Sequence, residues 1–175
     1  MEQEQIPNRT GQLFIGTEEE TLSNLEALRE KGTIASLGAI LEHLTTAPSA
    51  PVKSKILSLI ADIKIPGAVA IIANFTFSCS NPTIQQELIS ACWQSRLDFS
   101  PYFNRYIDLA IGGEMMLVLD VISLVEECCE KVDSDQTKVA IASIKKHLKT
   151  FESKKQLLMT DLVSLLEEKG SAHNH

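Results

Sequence analysis

The sequence predicts an all-α protein, an α-solenoid of about four stacked helical hairpins that follow an N-terminal helix, with eight to nine helices in all. Two observations predict this class. Aromatic residues make up only 5% of the 175 residues, whereas Leu, Ile and Ala are plentiful, and this composition favours helix packing over a sheet core. In addition, the octamer DVISLVEE at residues 120–127 is nearly repeated as DLVSLLEE at residues 161–168.

The octamer belongs to a longer pattern, because KILSLIAD at residues 55–62 and ELISACWQ at residues 87–94 fit the same template. The four copies align on their central serine with spacings of 32, 33 and 41 residues, at Ser58, Ser90, Ser123 and Ser164. Spacings in the thirties are typical of repeats made of two helices. Apolar residues recur around each serine at the period of an amphipathic helix, in the first copy at Val52, Ile56, Leu59, Ile60 and Ile63.

The remaining helices are predicted between these copies. An opening helix is expected over residues 17–31, ended by Gly32. A helix then precedes each copy, at residues 33–44, 67–77, 101–111 and 137–148, which gives nine helices, the last eight as four hairpins. Asn81 before Pro82 predicts a capped helix start, and Ser100 before Pro101 predicts another. We expect an extended N-terminal arm at residues 1–16, one domain at residues 17–169 and a flexible tail at residues 170–175.

The stretch LIADIKIPGAVAIIANF at residues 59–75 resembles the HEAT-repeat family, including its short bacterial members. The resemblance extends over roughly residues 33–168 and implies that the second helix of each pair lines a concave surface used for binding. The chain departs from the family in two places. Ile65 stands where the family usually has Asp, and the last spacing is 41 residues instead of 32 or 33. A different two-helix repeat or an irregular helical bundle therefore stays open.

Charge and motifs exclude several classes of function. The net charge of −7 argues against nucleic-acid binding, because phosphate contacts need a concentrated positive surface. The sequence has no phosphate-binding glycine motif and no zinc-ligand spacing, so we expect no catalytic residues, no cofactor and no metal. Cys128 and Cys129 are interpreted as small buried side chains, and His173 and His175 as part of a solvated tail. Without a signal peptide or a membrane-spanning stretch, the chain is predicted to be cytoplasmic.

The repeat also predicts a binding surface, because the serines and their neighbours point away from the apolar stripe of each helix. The position of Trp93 is occupied in the other copies by Ala61, Glu126 and Glu167, which predicts a solvent-facing indole. An exposed tryptophan among carboxylates is typical of a site for a basic, partly apolar segment. The candidate partner-binding residues are Trp93, Glu87, Asp120, Glu126, Glu127, Ser90 and Ser123. The alternative is that Trp93 fills a gap between repeats and the serines only allow close helix packing.

Two classes of function follow. The first is a non-enzymatic scaffold that binds a protein or peptide partner, of basic character, on its concave helical face. The second is a helical-repeat enzyme or enzyme subunit acting on a bound small molecule or a nucleic-acid base. A carboxyl group with a strongly raised pKa in a closed cleft would favour the enzyme. The lysines Lys138, Lys145 and Lys149 are interpreted as a solvated helix face, with a site for an anion as the alternative.

Overall fold

The computed structural model describes the backbone of residues 13–172 and the side chains of residues 13–169. This part of the chain is all-α, as predicted, and contains nine α-helices and no strand. Short 3-10 turns lie at Ser100–Tyr102, Cys129–Lys131 and Leu148–Thr150. The nine helices are α1 (Glu18–Lys31), α2 (Ile34–Leu44), α3 (Ala50–Ala61), α4 (Ala68–Ser78), α5 (Pro82–Ser95), α6 (Phe103–Gly112), α7 (Met115–Cys128), α8 (Ser134–His147) and α9 (Ser153–Ala172).

Side-chain caps set four of the nine described helix starts, those of α1, α2, α5 and α8. Asn81 caps α5 by accepting from the backbone N–H of Ile84 at 3.2 Å, with Pro82 in the first turn, as predicted. Helix α8 begins three residues earlier than expected, because Asp133 accepts from two backbone N–H groups and starts the helix there. The prediction that Ser100 caps α6 is wrong. The carboxylate of Asp98 accepts from the backbone N–H of Ser100 at 3.1 Å, so Ser100 enters a 3-10 turn and α6 starts at Phe103.

The ends of the described chain differ from the predicted arm and tail. Residues 13–16, the part of the predicted extended arm that the structure describes, form a turn and a bend. The amide of Asn24 donates to the carbonyl of Leu13 at 3.3 Å, and the ring of Phe14 stacks on His43 with centroids 3.7 Å apart. At the other end, α9 continues to Ala172, past the predicted start of the tail. Residues 1–12 and 173–175, including His173 and His175, lie outside the described residues.

The helices pack in chain order. Each odd-numbered helix contacts the next odd-numbered one, from α1 to α9, and each even-numbered helix contacts the odd-numbered helix that follows it. Helices α2 and α4 also contact each other, as do α6 and α8. The apolar stripes predicted from the repeat form the core between them, at Val52, Ile56, Leu59 and Ile60 of α3, Ile84, Leu88, Ala91 and Cys92 of α5, and Leu117, Val121, Leu124, Val125 and Cys128 of α7. Ile63, predicted as the last member of the first stripe, lies beyond the end of α3 and is only half-buried. In α9 the buried side chains include Leu162 and Leu166.

Candidate functional site

The side of α7 opposite its buried stripe carries two large exposed apolar side chains. Met116 is 60% exposed and Leu119 is 41% exposed, although both are hydrophobic. Half-buried Ser123 and exposed Glu126 follow at seven and ten residues after Met116. This i, i+3, i+7, i+10 spacing places the four side chains on one face of the helix.

The neighbouring odd-numbered helices repeat this arrangement at equivalent positions. On α9 the equivalent residues are Leu157, Thr160, Ser164 and Glu167, all exposed, with Leu157 at 63%. On α5 they are Thr83, Gln86, Ser90 and Trp93, of which the last three are half-buried. We call these three sets together the outer face. Because α5 contacts α7 and α7 contacts α9, the outer face extends across adjacent helices.

The outer face has two chemically different ends. Its apolar end consists of Met116, Leu119 and Leu157, at the start of α7 and α9. Its acidic end lies near the last turn of α7 and the corresponding part of α9, with exposed carboxylates at Glu126, Glu127, Glu167 and Glu168. Ten residues of helix separate Met116 from Glu126, which corresponds to about 15 Å. A partner lying along α7 therefore meets apolar surface at one end and negative charge at the other.

Trp93 does not lie where the sequence predicted it. The indole is half-buried and packed against the core instead of facing solvent. Its Nε1 donates to the carboxylate of Asp120 on α7 at 3.2 Å. The prediction of an exposed indole is wrong because the period of one helix does not reveal how closely the next helix approaches. A ring as large as indole reaches across the gap to α7, which agrees with the alternative that Trp93 packs between repeats.

Two further predicted residues also connect neighbouring helices. Asp120 accepts a second hydrogen bond, from the side-chain amide of Gln86 on α5 at 2.5 Å. Glu87 accepts from the ammonium group of Lys53 on α3 at 2.7 Å, and its other carboxylate oxygen is buried. These contacts tie α3, α5 and α7 together at the edge of the outer face. Glu87 and Asp120 therefore accept hydrogen bonds from within the chain, although both were predicted to contact a partner.

The other predicted residues stay at the surface. Ser90 accepts from the side-chain amide of Gln94 at 3.2 Å, and Ser123 is half-buried. Glu126 and Glu127 are exposed. The structure thus places all seven candidate residues on α5 and α7, but only these two carboxylates face solvent as expected.

The apolar end was missed by sequence reasoning, although the signal was present. Met116 lies seven residues before Ser123, and Leu157 lies seven residues before Ser164. Both therefore occupy the same position of the repeat, two helical turns before the serine. The two earlier copies have Pro51 and Thr83 at this position. An alignment of the four copies that starts seven residues before the serine shows that this position is apolar in two adjacent copies and faces outward.

Three of the four thiols, those of Cys92, Cys128 and Cys129, are buried, and that of Cys79 is half-buried. Burial raises the pKa of Cys92 and of Cys128 to about 12, and burial also raises the pKa of Cys129. Among residues 13–169, no group of His, Cys, Asp and Glu side chains is arranged to hold a metal ion. None of the nine helices combines the length and apolar character needed to cross a lipid bilayer. Burial lowers the pKa of His43, which stacks on Phe14.

The lysines predicted as a solvated face divide into two groups. Lys138 pairs with Asp135 at 3.2 Å and Lys145 pairs with Glu167 at 2.6 Å, while Lys146, Lys149 and Lys154 are exposed. Lys155, at the start of α9, is different. Its ammonium group donates to the carbonyls of Ile111 and Gly113, at 2.7 and 2.6 Å, and so caps the end of α6.

A cleft of about 340 Å³ lies apart from the outer face, among α1, α2 and α3. Its walls are mainly apolar and include Leu37, Ile40 and Leu59, with Arg29 and Asp62 at its edge. These two side chains pair with each other at 3.1 Å. The cleft therefore presents apolar walls and an ion pair.

Comparison with known proteins gives no relative for this chain. No protein-family model, no curated protein and no solved structure matches it.

Proposed function

We propose that the chain is a HEAT-like α-solenoid that acts in the cytoplasm as a non-enzymatic scaffold and binds a protein or peptide partner on its outer face. The order of helix contacts supports the solenoid, because each odd-numbered helix packs against the next odd-numbered one and each even-numbered helix packs against the odd-numbered helix that follows it. In a repeat architecture of this kind, the stacked helices form an extended surface suited to binding. The layer of odd-numbered helices, which carries the outer face, corresponds to the concave side.

The observation that carries the proposal is the apolar end of the outer face. Three large hydrophobic side chains, Met116, Leu119 and Leu157, are 60%, 41% and 63% exposed on two helices in contact. Soluble proteins seldom leave clustered apolar side chains uncovered unless a partner covers them. The carboxylates at the acidic end favour a partner that carries basic residues beside its apolar ones.

Affinity capture with matched variants tests the proposal. The bait is the whole chain, either unchanged or with Leu119→Asp and Leu157→Asp, and the control bait carries Ile34→Asp on α2. Ile34 is 39% exposed, so the control introduces charge at an apolar side chain of similar exposure on an even-numbered helix. We expect a stoichiometric protein from the source lysate on the unchanged bait and on the control, and at least a tenfold loss on the double variant.

Two results would contradict the proposal. One is equal recovery of the captured protein by all three baits, which would place its binding surface elsewhere. The other is capture of no protein by the unchanged bait. Circular dichroism of each bait checks that the compared proteins have the same helical content.

A further inference from the structure

Helix α8 carries an outward face with the same spacing as α7. Val139 is 58% exposed, and Ala142, Lys146 and Lys149 are exposed at three, seven and ten residues after it. The pattern i, i+3, i+7, i+10 is the one that places Met116, Leu119, Ser123 and Glu126 on one side of α7. Val139, Ala142 and Lys146 lie on α8, and Lys149 lies in the 3-10 turn Leu148–Thr150 that directly follows it; we call these four residues the basic face.

The basic face and the outer face of α7 are complementary when the two helices lie parallel. Val139 and Ala142 then meet Met116 and Leu119, and the ammonium groups of Lys146 and Lys149 come beside the carboxylates of Glu126 and Glu127. An antiparallel arrangement would set lysines against apolar side chains and leave the carboxylates without counter-charges. Apolar contact at one end and opposite charge at the other therefore select one direction of packing.

The four charged groups are available for such a contact. None of the ion pairs among residues 13–169 engages Lys146, Lys149, Glu126 or Glu127. Both faces point away from the core that their helices bury, so they cannot meet within one molecule. They can meet only between two copies of the chain.

We propose that the partner on the outer face includes a second copy of this chain, which docks the basic face of its α8 parallel to α7. This rests on the proposed function, because it names a basic, partly apolar helix as the occupant of that same surface. The two contacting surfaces are different, so the contact is head-to-tail, and each added copy leaves one of each surface uncovered. The product is an open chain or, where the rotation between copies closes, a ring, and its mass grows with protein concentration.

The contact is small and is therefore weak and sensitive to salt. Helix α8 has 14 residues, which is about 21 Å of helix. One helix against one helix buries less than the roughly 1,200 Å² at the lower end of stable interfaces. Salt screens the attraction between exposed charges that are farther apart than the Debye length, which is about 3 Å in 1 M salt. Association is expected at high protein concentration and low salt, and it should weaken strongly in 1 M salt.

Charge reversal tests the docking, with mass measured by sedimentation velocity over a range of protein concentrations. The first variant combines Glu126→Lys with Glu127→Lys, and the second combines Lys146→Glu with Lys149→Glu. Each should stay monomeric where the unchanged chain associates, because like charges then face each other. A fourfold variant with all these substitutions restores opposite charges across the contact, and it should associate again.

A control variant separates the effect of the charged positions in the contact from the effect of net charge. The control variant Glu30→Lys with Glu42→Lys changes the net charge as the first variant does, but at exposed positions of α1 and α2. It should associate like the unchanged chain. A monomeric unchanged chain at every concentration, or no recovery in the fourfold variant, would overturn the self-docking. If affinity capture still yields a partner that depends on Leu119 and Leu157, the scaffold function stands and only the second copy is excluded.

Discussion

At the scale of single residues, Trp93 shows how a side chain on the outer side of one helix contributes to stability through its neighbour. Trp93→Ala removes a half-buried ring and its hydrogen bond to Asp120. We expect the free energy of unfolding to fall by about 2 kcal/mol, below the roughly 3–5 kcal/mol typical of a fully buried tryptophan. Urea denaturation followed by circular dichroism measures the difference.

Glu126→Ala is the matched control, since Glu126 occupies the equivalent position on α7 and is exposed. It should change the free energy of unfolding by less than about 0.5 kcal/mol. Equal effects of Trp93→Ala and Glu126→Ala would show that the indole does not support the contact between α5 and α7.

At the scale of helices, α7 ends with negative charge where its dipole disfavours it. Glu126 and Glu127 lie near the last turn, which contains no basic residue. Helix α1 has the favourable arrangement, with three glutamates in its first turn. We expect Glu127→Gln to raise the free energy of unfolding by about 0.3–1 kcal/mol at low salt, and Glu19→Gln to lower it by a similar amount.

Both effects should shrink in 1 M salt, because these carboxylates are exposed and salt screens them. Denaturant midpoints of the two variants at low and high salt give the comparison. A loss of stability in Glu127→Gln would mean that this carboxylate makes a favourable contact in the folded chain. A gain in stability would agree with a glutamate that serves binding although it destabilises the helix.

The helices were largely predictable from the sequence, and the details of the site were not. Apolar period and capping residues act within a few positions of each other, so the stripes of α3, α5 and α7 and the cap at Asn81 were predicted correctly. The burial of Trp93 and the contact between Glu87 and Lys53 depend on the distance between helices. That distance is set by packing across the whole layer, and no single helix encodes it. Ser100 was misassigned because Asp98 accepts from the backbone N–H of Ser100, where a 3-10 turn begins ahead of α6.

At the scale of the whole molecule, the order of contacts predicts how truncation acts. Deleting residues 153–175 removes α9, which packs against α7 and α8. We expect a less stable protein that loses roughly the helical signal of the 20 residues of α9 and keeps the helices α1 to α6. Circular dichroism and hydrogen exchange of the truncated chain measure this. Loss of all helical structure would instead show one closed bundle in which every helix depends on α9.

The cap that Lys155 places on the end of α6 has a consequence for biosynthesis. The carbonyls of Ile111 and Gly113 receive their donor from a residue that is translated more than 40 positions later. Most other contacts join helices that are one or two places apart in the chain, so the first hairpins can assemble while synthesis continues. The end of α6 has to rely on water until the first turn of α9 has emerged from the exit tunnel. The nascent chain therefore completes its third hairpin only when its last helix arrives.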